Sequence, residues 1–196
     1  EIASCLVGSE MCIRDSVKAP NGKYIVIDLG TGTYESGNMS PLSKRSRDNI
    51  AYMIITHPHL DHIDDILNFN LNEPKILQRA KSLSNNEVMK DVRYCDRAKF
   101  EKYCEINDRY NSPVTPQDEN YTRNPNNYGG LEIQTFSTDA CDHSNFNNFS
   151  IITVLCLSGI KVVICGDNET ESLDKLMNRI DFKEAVKNAD VLVAPH

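Results

Sequence analysis

Apolar positions along this chain fall into short runs separated by polar, turn-rich stretches, and the runs follow two different periods. Tyr24-Ile25-Val26-Ile27 comes directly after an Asn21-Gly22 turn and predicts the second arm of a hairpin. Tyr52-Met53-Ile54-Ile55-Thr56 is unbroken and partly β-branched, the pattern of a buried strand. Past it, Ile63, Ile66, Leu67 and Leu71 recur at helical spacing, which predicts a helix starting near Asp61. Ser84-Asn85-Asn86-Glu87 has the form of a capping box, and Val88, Val92, Cys95, Phe100, Tyr103, Ile106 and Tyr110 follow at steps of three or four. They predict one long or two shorter amphipathic helices, with Lys90, Arg93 and Arg97 on a shared face.

The second half of the chain returns to strands. Residues 112–130 contain Pro113, Pro116 and Pro125 and read as a long loop, in which Tyr121 and Tyr128 either meet a substrate or pin the loop itself. Residues 131–136 alternate as a half-buried strand. Two apolar strands over 150–157 and 160–165 join at Ser158-Gly159, a hairpin by its turn residues. Residues 168–188 read as helical, with Asp181-Phe182-Lys183-Glu184 as a second capping signature, and 190–195 form a last strand.

At 196 residues and 40% hydrophobic content the chain fits one domain with a sizeable core. No stretch approaches the roughly 20 apolar residues a membrane helix needs, so a protein without a membrane segment is expected. The net charge of −7 argues against indiscriminate nucleic-acid binding through a global positive field. Within that acidic total, Lys75 to Arg109 holds nine Lys or Arg against six Asp or Glu, a locally basic segment. Lys44, Arg45 and Arg47 also cluster, either as a solvated surface or as a hold on an anionic substrate. The seven cysteines include no Cys-x-x-Cys pair, and Cys156 and Cys165 lie in apolar runs. Reduced thiols and a cytoplasmic location are the expectation.

Chemistry concentrates at one place. The strand ending at Thr56 delivers His57-Pro58-His59-Leu60-Asp61-His62, four potential metal ligands within six positions. Pro58 biases His57 toward an extended backbone, and residues i and i+2 of an extended chain share a side, so His57 and His59 can converge on one ion. Asp61 and His62 then face elsewhere, where a strand gives way to a helix, and a second ion could sit there. The chain has five histidines, three of them here; the others are His143 and His196.

His-x-His-x-Asp-His is the hallmark of the metallo-β-lactamase fold superfamily, which the chain resembles over residues 21–196. The resemblance implies an α/β fold, a four-layer αββα sandwich with a helical and loop insertion over about 72–130. Carried over residue by residue, it implies that His57, His59 and His143 hold one divalent ion and that Asp61, His62 and His196 hold another. Asp167, at the end of a strand and 24 positions after His143, would bridge the two, with Gly166 letting the backbone approach closely. Asp28 is either an Asp-Gly turn residue or, by the same resemblance, a residue that orients the metal loop from beneath. Imidazole and carboxylate together suit Zn²⁺, with Mn²⁺ or Fe²⁺ also compatible. A water bridging two such ions reaches a pKa near neutrality and serves as a hydroxide nucleophile, which Asp61 would help to orient and which makes a Ser or Cys nucleophile unnecessary.

The chain is thus expected to be a dinuclear metal-dependent hydrolase. Asn147-Asn148-Phe149-Ser150, Cys165-Gly166-Asp167 and Ala189 to His196 resemble the hydrolase domain of DNA-uptake competence proteins and their soluble relatives, which implies phosphodiester chemistry on a nucleic acid or nucleotide. Asp64-Asp65 departs from that pattern, standing where many relatives have two glycines. Two other readings stay open: a hydrolase of small thioesters, lactones or lactams, and a non-catalytic metal-binding or regulatory domain. Two features concern the ends. Ser9 to Ser16 resembles a translated sequencing adapter, so residues 1–16 are expected to be a non-native extension and 17–196 the hydrolase domain. The chain stops on His196 where relatives continue, which predicts a truncated fragment.

Overall fold

The computed structural model describes residues 2–4, 15–34, 37–39 and 49–195, with the backbone alone described for 2–4, 32–34 and 37–39. His196 and the cluster of Lys44, Arg45 and Arg47 lie outside the described residues. The chain divides into two compact units, Glu1–Pro113 and Val114–His196.

The first unit is built on a five-stranded sheet in the order β1-β2-β3-β6-β7, formed by Ile2–Ser4, Asp15–Lys18, Tyr24–Ile27, Ile50–Ile55 and Ile76–Arg79. A separate antiparallel pair joins β4 (Gly32–Tyr34) to β5 (Gly37–Met39). The hairpin predicted at Asn21-Gly22 joins β2 to β3 antiparallel, with Gly22 at φ 83° and its N–H donating to the Ala19 carbonyl at 2.9 Å. Strand β2 begins at Asp15, two residues inside the expected extension.

Strand β6 lies between β3 and β7 and runs parallel to both. All six of its residues are buried, which is why its sequence is a continuous apolar run and not an alternating one. Parallel pairing brings the carboxyl ends of β3 and β6 side by side, with Ile27 opposite Ile54. The residues just past those ends, Asp28 and Thr56, are therefore neighbours. This edge of an open parallel sheet is where ligands characteristically bind.

Downstream of β6 the predicted helix is broken. A single turn, α1 (Leu60–Ile63), is followed by a 3₁₀ segment over Ile66–Leu71. Ile63, Ile66 and Phe69 are buried, whereas Leu67 and Leu71 are about half exposed, so the apolar spacing marks two tight turns and not one amphipathic face. The insertion holds two helices, α2 (Asn85–Val88) and α3 (Arg97–Arg109). Ser84 forms the capping box in full, accepting from the Glu87 N–H while its own N–H donates to the Glu87 carboxylate at 2.8 Å. Residues 89–96 are turns and irregular backbone, with Asp91 in the left-handed region at φ 60°. Lys90 and Arg93 thus lie outside any helix and share no helical face with Arg97. Helix α3 packs against α1, α2 and the 3₁₀ segment.

The second unit carries a four-stranded sheet in the order β11-β10-β9-β8, from Val191–Val193, Ile160–Ile164, Ile152–Leu157 and Glu132–Phe136. Its hairpin turns at Ser158-Gly159, both at positive φ (53° and 85°), the geometry that matches strand twist. Helices α4 (Thr170–Met177) and α5 (Ile180–Val186) occupy the stretch expected to be helical over 168–188. The core joins Phe136, Ile152, Val154, Val163 and Cys165 of the sheet region to Leu176, Phe182 and Ala185 of the helices. Asp181 caps nothing in the way its sequence suggests: α5 begins after Arg179, and the Asp181 carboxylate is taken up by that arginine at 2.7 Å. In the long loop Tyr128 is fully buried and its hydroxyl donates to the Asn120 carbonyl at 2.6 Å, so this tyrosine pins the loop.

Candidate metal centre

Strand β6 ends by placing Thr56, His57 and Pro58 in buried positions, and the chain then turns into α1 at His59, whose ψ of 154° is still extended. That extended stretch puts the His57 and His59 rings on one side: His57 Nε2 lies 2.9 Å from His59 Nδ1, with the rings edge to face at 4.5 Å. The His62 ring packs 4.0 Å from that of His57. Three imidazoles gathered this tightly, two of them with no solvent exposure, suit a bound cation better than they suit one another. Asp61 stands beside them, partly exposed, with one carboxylate oxygen 3.9 Å from His62 Nε2. The donor set of imidazole nitrogens and a carboxylate oxygen fits a divalent ion such as Zn²⁺.

Asp28 anchors the cluster. Almost wholly buried and in the left-handed region at φ 62°, its carboxylate accepts from the Thr56 N–H at 2.7 Å, the Thr56 hydroxyl at 2.8 Å and His62 Nδ1 at 2.8 Å. Between the two sequence readings of Asp28, the turn residue and the orienting residue, the structure shows both in one side chain. The backbone of Leu29 completes the clasp: its N–H donates to the His62 carbonyl at 2.7 Å and its carbonyl accepts from the Asp65 N–H at 2.9 Å.

The two aspartates that depart from the glycine pair of relatives are both used structurally. Asp64 accepts from the Thr31 hydroxyl and from the Lys99 ammonium of α3. Asp65 is buried and accepts from the Asn68 side chain at 2.7 Å. Other cations of the basic segment are also engaged: Arg93 with Asp96, Arg97 with Glu101, Lys102 with Glu105, and Arg109 with Glu73.

In the second unit, Asp167 follows β10 and Gly166, which adopts φ 57°. Its N–H donates to the Ser150 hydroxyl at 3.2 Å, while the Asn168 side chain donates to the carbonyls of Ser150 and Cys165 at 2.9 and 2.7 Å. His143 lies in the exposed loop before the 3₁₀ segment Phe146–Phe149, its ring edge-on to Phe149 at 4.9 Å. Thr56, Thr31 and Lys99 are the residues that sequence reading did not single out. Thr56 was legible only as the last β-branched position of an apolar run, though its place directly before His57 is the signal that finds it.

The family model of the metallo-beta-lactamase superfamily matches residues 17–69, the segment that contains Asp28, Thr56 and the whole histidine cluster. Over these residues, about a quarter of the chain, the sequence is similar to that superfamily. The α/β class read from the sequence is the class observed, with a sheet and flanking helices in each unit. Among solved structures, the crystal structure of Zn²⁺-bound PqqB from Methylobacterium extorquens is similar at TM-score 0.43 and 13% identity, over 91% of this chain. The chain spans 58% of the length of that protein. No curated protein matches the sequence. The metallo-beta-lactamase superfamily is metal-dependent, and the buried imidazole cluster lies inside the matched segment. Among the described residues no helix is long and apolar enough to cross a membrane.

Proposed function

We propose that the chain is a dinuclear metal-dependent hydrolase acting on phosphodiesters. The observation that carries this reading is the meeting of His57, His59 and His62 over one buried carboxylate, with His57 Nε2 and His59 Nδ1 turned toward each other at 2.9 Å. In this reading His57 and His59, with His143, hold one ion, and Asp61 and His62, with His196, hold the other. Asp167, whose N–H donates to the Ser150 hydroxyl, would supply a carboxylate to both. The ions, when bound, supply Lewis acidity and an activated water. The chain's own residues would do the rest: Asp28 holds His62 in orientation through its Nδ1, and Asp61 would accept a hydrogen bond that orients a nucleophilic water. The phosphodiester assignment rests on the resemblance of Asn147 to Ser150, Cys165 to Asp167 and Ala189 to His196 to the hydrolase domain of DNA-uptake competence proteins, and on Lys99 standing beside the metal loop at Asp64.

A second reading is favoured by one observation. The basic segment spends most of its charge on its own acidic neighbours, since Arg93, Arg97, Lys99, Lys102 and Arg109 are all ion-paired. A substrate without charge, such as a small thioester, lactone or lactam, asks for no cationic surface and fits that pattern. The deciding experiment is metal content per chain, followed by hydrolysis of bis(4-nitrophenyl) phosphate, a thioester and a β-lactam by the Zn²⁺- and Mn²⁺-loaded protein. About two ions per chain, lost in His59→Ala and Asp167→Ala, with turnover of the phosphodiester, is the expected result. A folded protein that takes up no metal refutes the hydrolase; turnover of the thioester or lactam alone selects the second reading.

A further inference from the structure

We propose that Thr56 is a positioning residue, relaying Asp28 to His57 so that one buried carboxylate fixes a ligand of each metal ion. The assignment of His57 and His62 to different ions rests on the reading above; the hydrogen-bond relay does not. The Thr56 hydroxyl lies 2.8 Å from Asp28 Oδ2 and 3.2 Å from His57 Nδ1. A carboxylate only accepts, so the single hydroxyl proton goes to Asp28. Toward His57 the same oxygen can then only accept, which requires the proton of the His57 ring on Nδ1 and leaves the lone pair on Nε2. Nε2 is the nitrogen facing His59. His62 Nδ1 also lies 3.2 Å from the Thr56 hydroxyl, but it does not depend on it, because the same nitrogen lies 2.8 Å from Asp28 Oδ2 directly.

The arrangement is rigid on every side that matters. Thr56, His57 and His62 have no solvent exposure, and Asp28 has 1%. The Thr56 N–H also binds Asp28, at 2.7 Å, so backbone and side chain of one residue grip both carboxylate oxygens. Loss of the hydroxyl removes a contact from each ring, but His62 keeps its direct hydrogen bond to Asp28, whereas Nδ1 of His57 loses its link to that carboxylate. The two ions would then respond differently: Thr56 governs the first, and Asp28 governs both.

The test compares the full chain with Thr56→Val, Thr56→Ser and Asp28→Asn. In the metal-free protein, ¹⁵N-edited NMR of the histidine rings reports the tautomer directly, and His57 in the parent is expected as the Nδ1–H form. In Thr56→Val that form gives way to a tautomer mixture while His62 is unchanged; Thr56→Ser restores the parent spectrum. In Zn²⁺ competition against a chelator, Thr56→Val weakens one ion about 10–100-fold and spares the other, and Asp28→Asn weakens both. A parent His57 protonated on Nε2, or Thr56→Ser failing as Thr56→Val does, overturns the relay. The parent spectrum decides the relay even if Thr56→Val does not fold. Failure of the underlying reading shows separately, as a parent that binds no Zn²⁺ while its His57 tautomer is still fixed.

Discussion

Arg79 offers the clearest test of how helix α3 is held to strand β7. It ends strand β7 with only 8% exposure, and its guanidinium donates to the carbonyls of Asn107 and Tyr110 and to the Asn111 side chain, the last two at 3.1 Å. Those carbonyls lie at the carboxyl end of α3, where no helical partner exists for them and where a cation is favoured by the helix dipole. Burial lowers the Arg79 pKa, so the site costs solvation that the hydrogen bonds must offset. Hydrogen bonds from a charged donor contribute about 1.5–3 kcal/mol each before that cost and are not additive. Arg79→Ala, which leaves at least two carbonyls without partners, is expected to lose about 3 kcal/mol. For a chain of this size that is a fall in Tm of roughly 6–12 °C. Arg79→Lys should recover less than half of it, because one ammonium cannot span three acceptors in a plane. Thermal and urea unfolding of both variants, followed by circular dichroism, provide the measurement. A loss under about 1 kcal/mol for the alanine variant, or parent stability for the lysine variant, would refute the reasoning.

Further outcomes follow from other sites. Burial pushes the Tyr103 phenol up to about 12 from its ordinary value of 10.0, so the unfolded chain gives up this proton first on alkalinisation. The contribution is intact below about pH 10, falls as pH rises toward about 12, and should be absent from the alkaline titration of Tyr103→Phe. Tyr128→Phe removes the donor to the Asn120 carbonyl and leaves that acceptor buried, with an expected loss of about 1–2 kcal/mol in urea unfolding. Removal of metal by a chelator is expected to lower Tm, and Zn²⁺ to restore it in a concentration-dependent way; identical melting curves with and without the ion would count against the metal centre.

Where the sequence was legible, local rules and tertiary demands agreed. Asn21-Gly22 and Ser158-Gly159 specify hairpin turns by backbone conformation alone, and the capping box at Ser84 is satisfied by residues three apart, so neither needs the rest of the fold. The unbroken run over 52–56 marks a strand that is buried along its whole length. Misreadings arose where a contact outside the local pattern decided. Asp181 has the spacing of a cap, yet Arg179 lies nearer and takes both of its oxygens. Leu67 and Leu71 have helical spacing, yet packing of the 3₁₀ segment against α3 buries Phe69 instead. The segment over 75–109 reads as locally basic, but charge counted along the chain does not reveal pairing in space. Thr56 shows the same limit at the candidate site, since its role depends on Asp28, 28 positions earlier.

The left-handed backbone of Asp28 has a consequence for how this position tolerates change. Glycine and asparagine fit a φ of 62° at least as well as aspartate does, and most other residues fit it at a cost of about 1–3 kcal/mol. The carboxylate, however, is supplied by aspartate alone among residues that fit. In a saturation library at position 28, selection for folding and selection for metal binding should therefore enrich different residues: glycine and asparagine survive the first, and only aspartate survives the second.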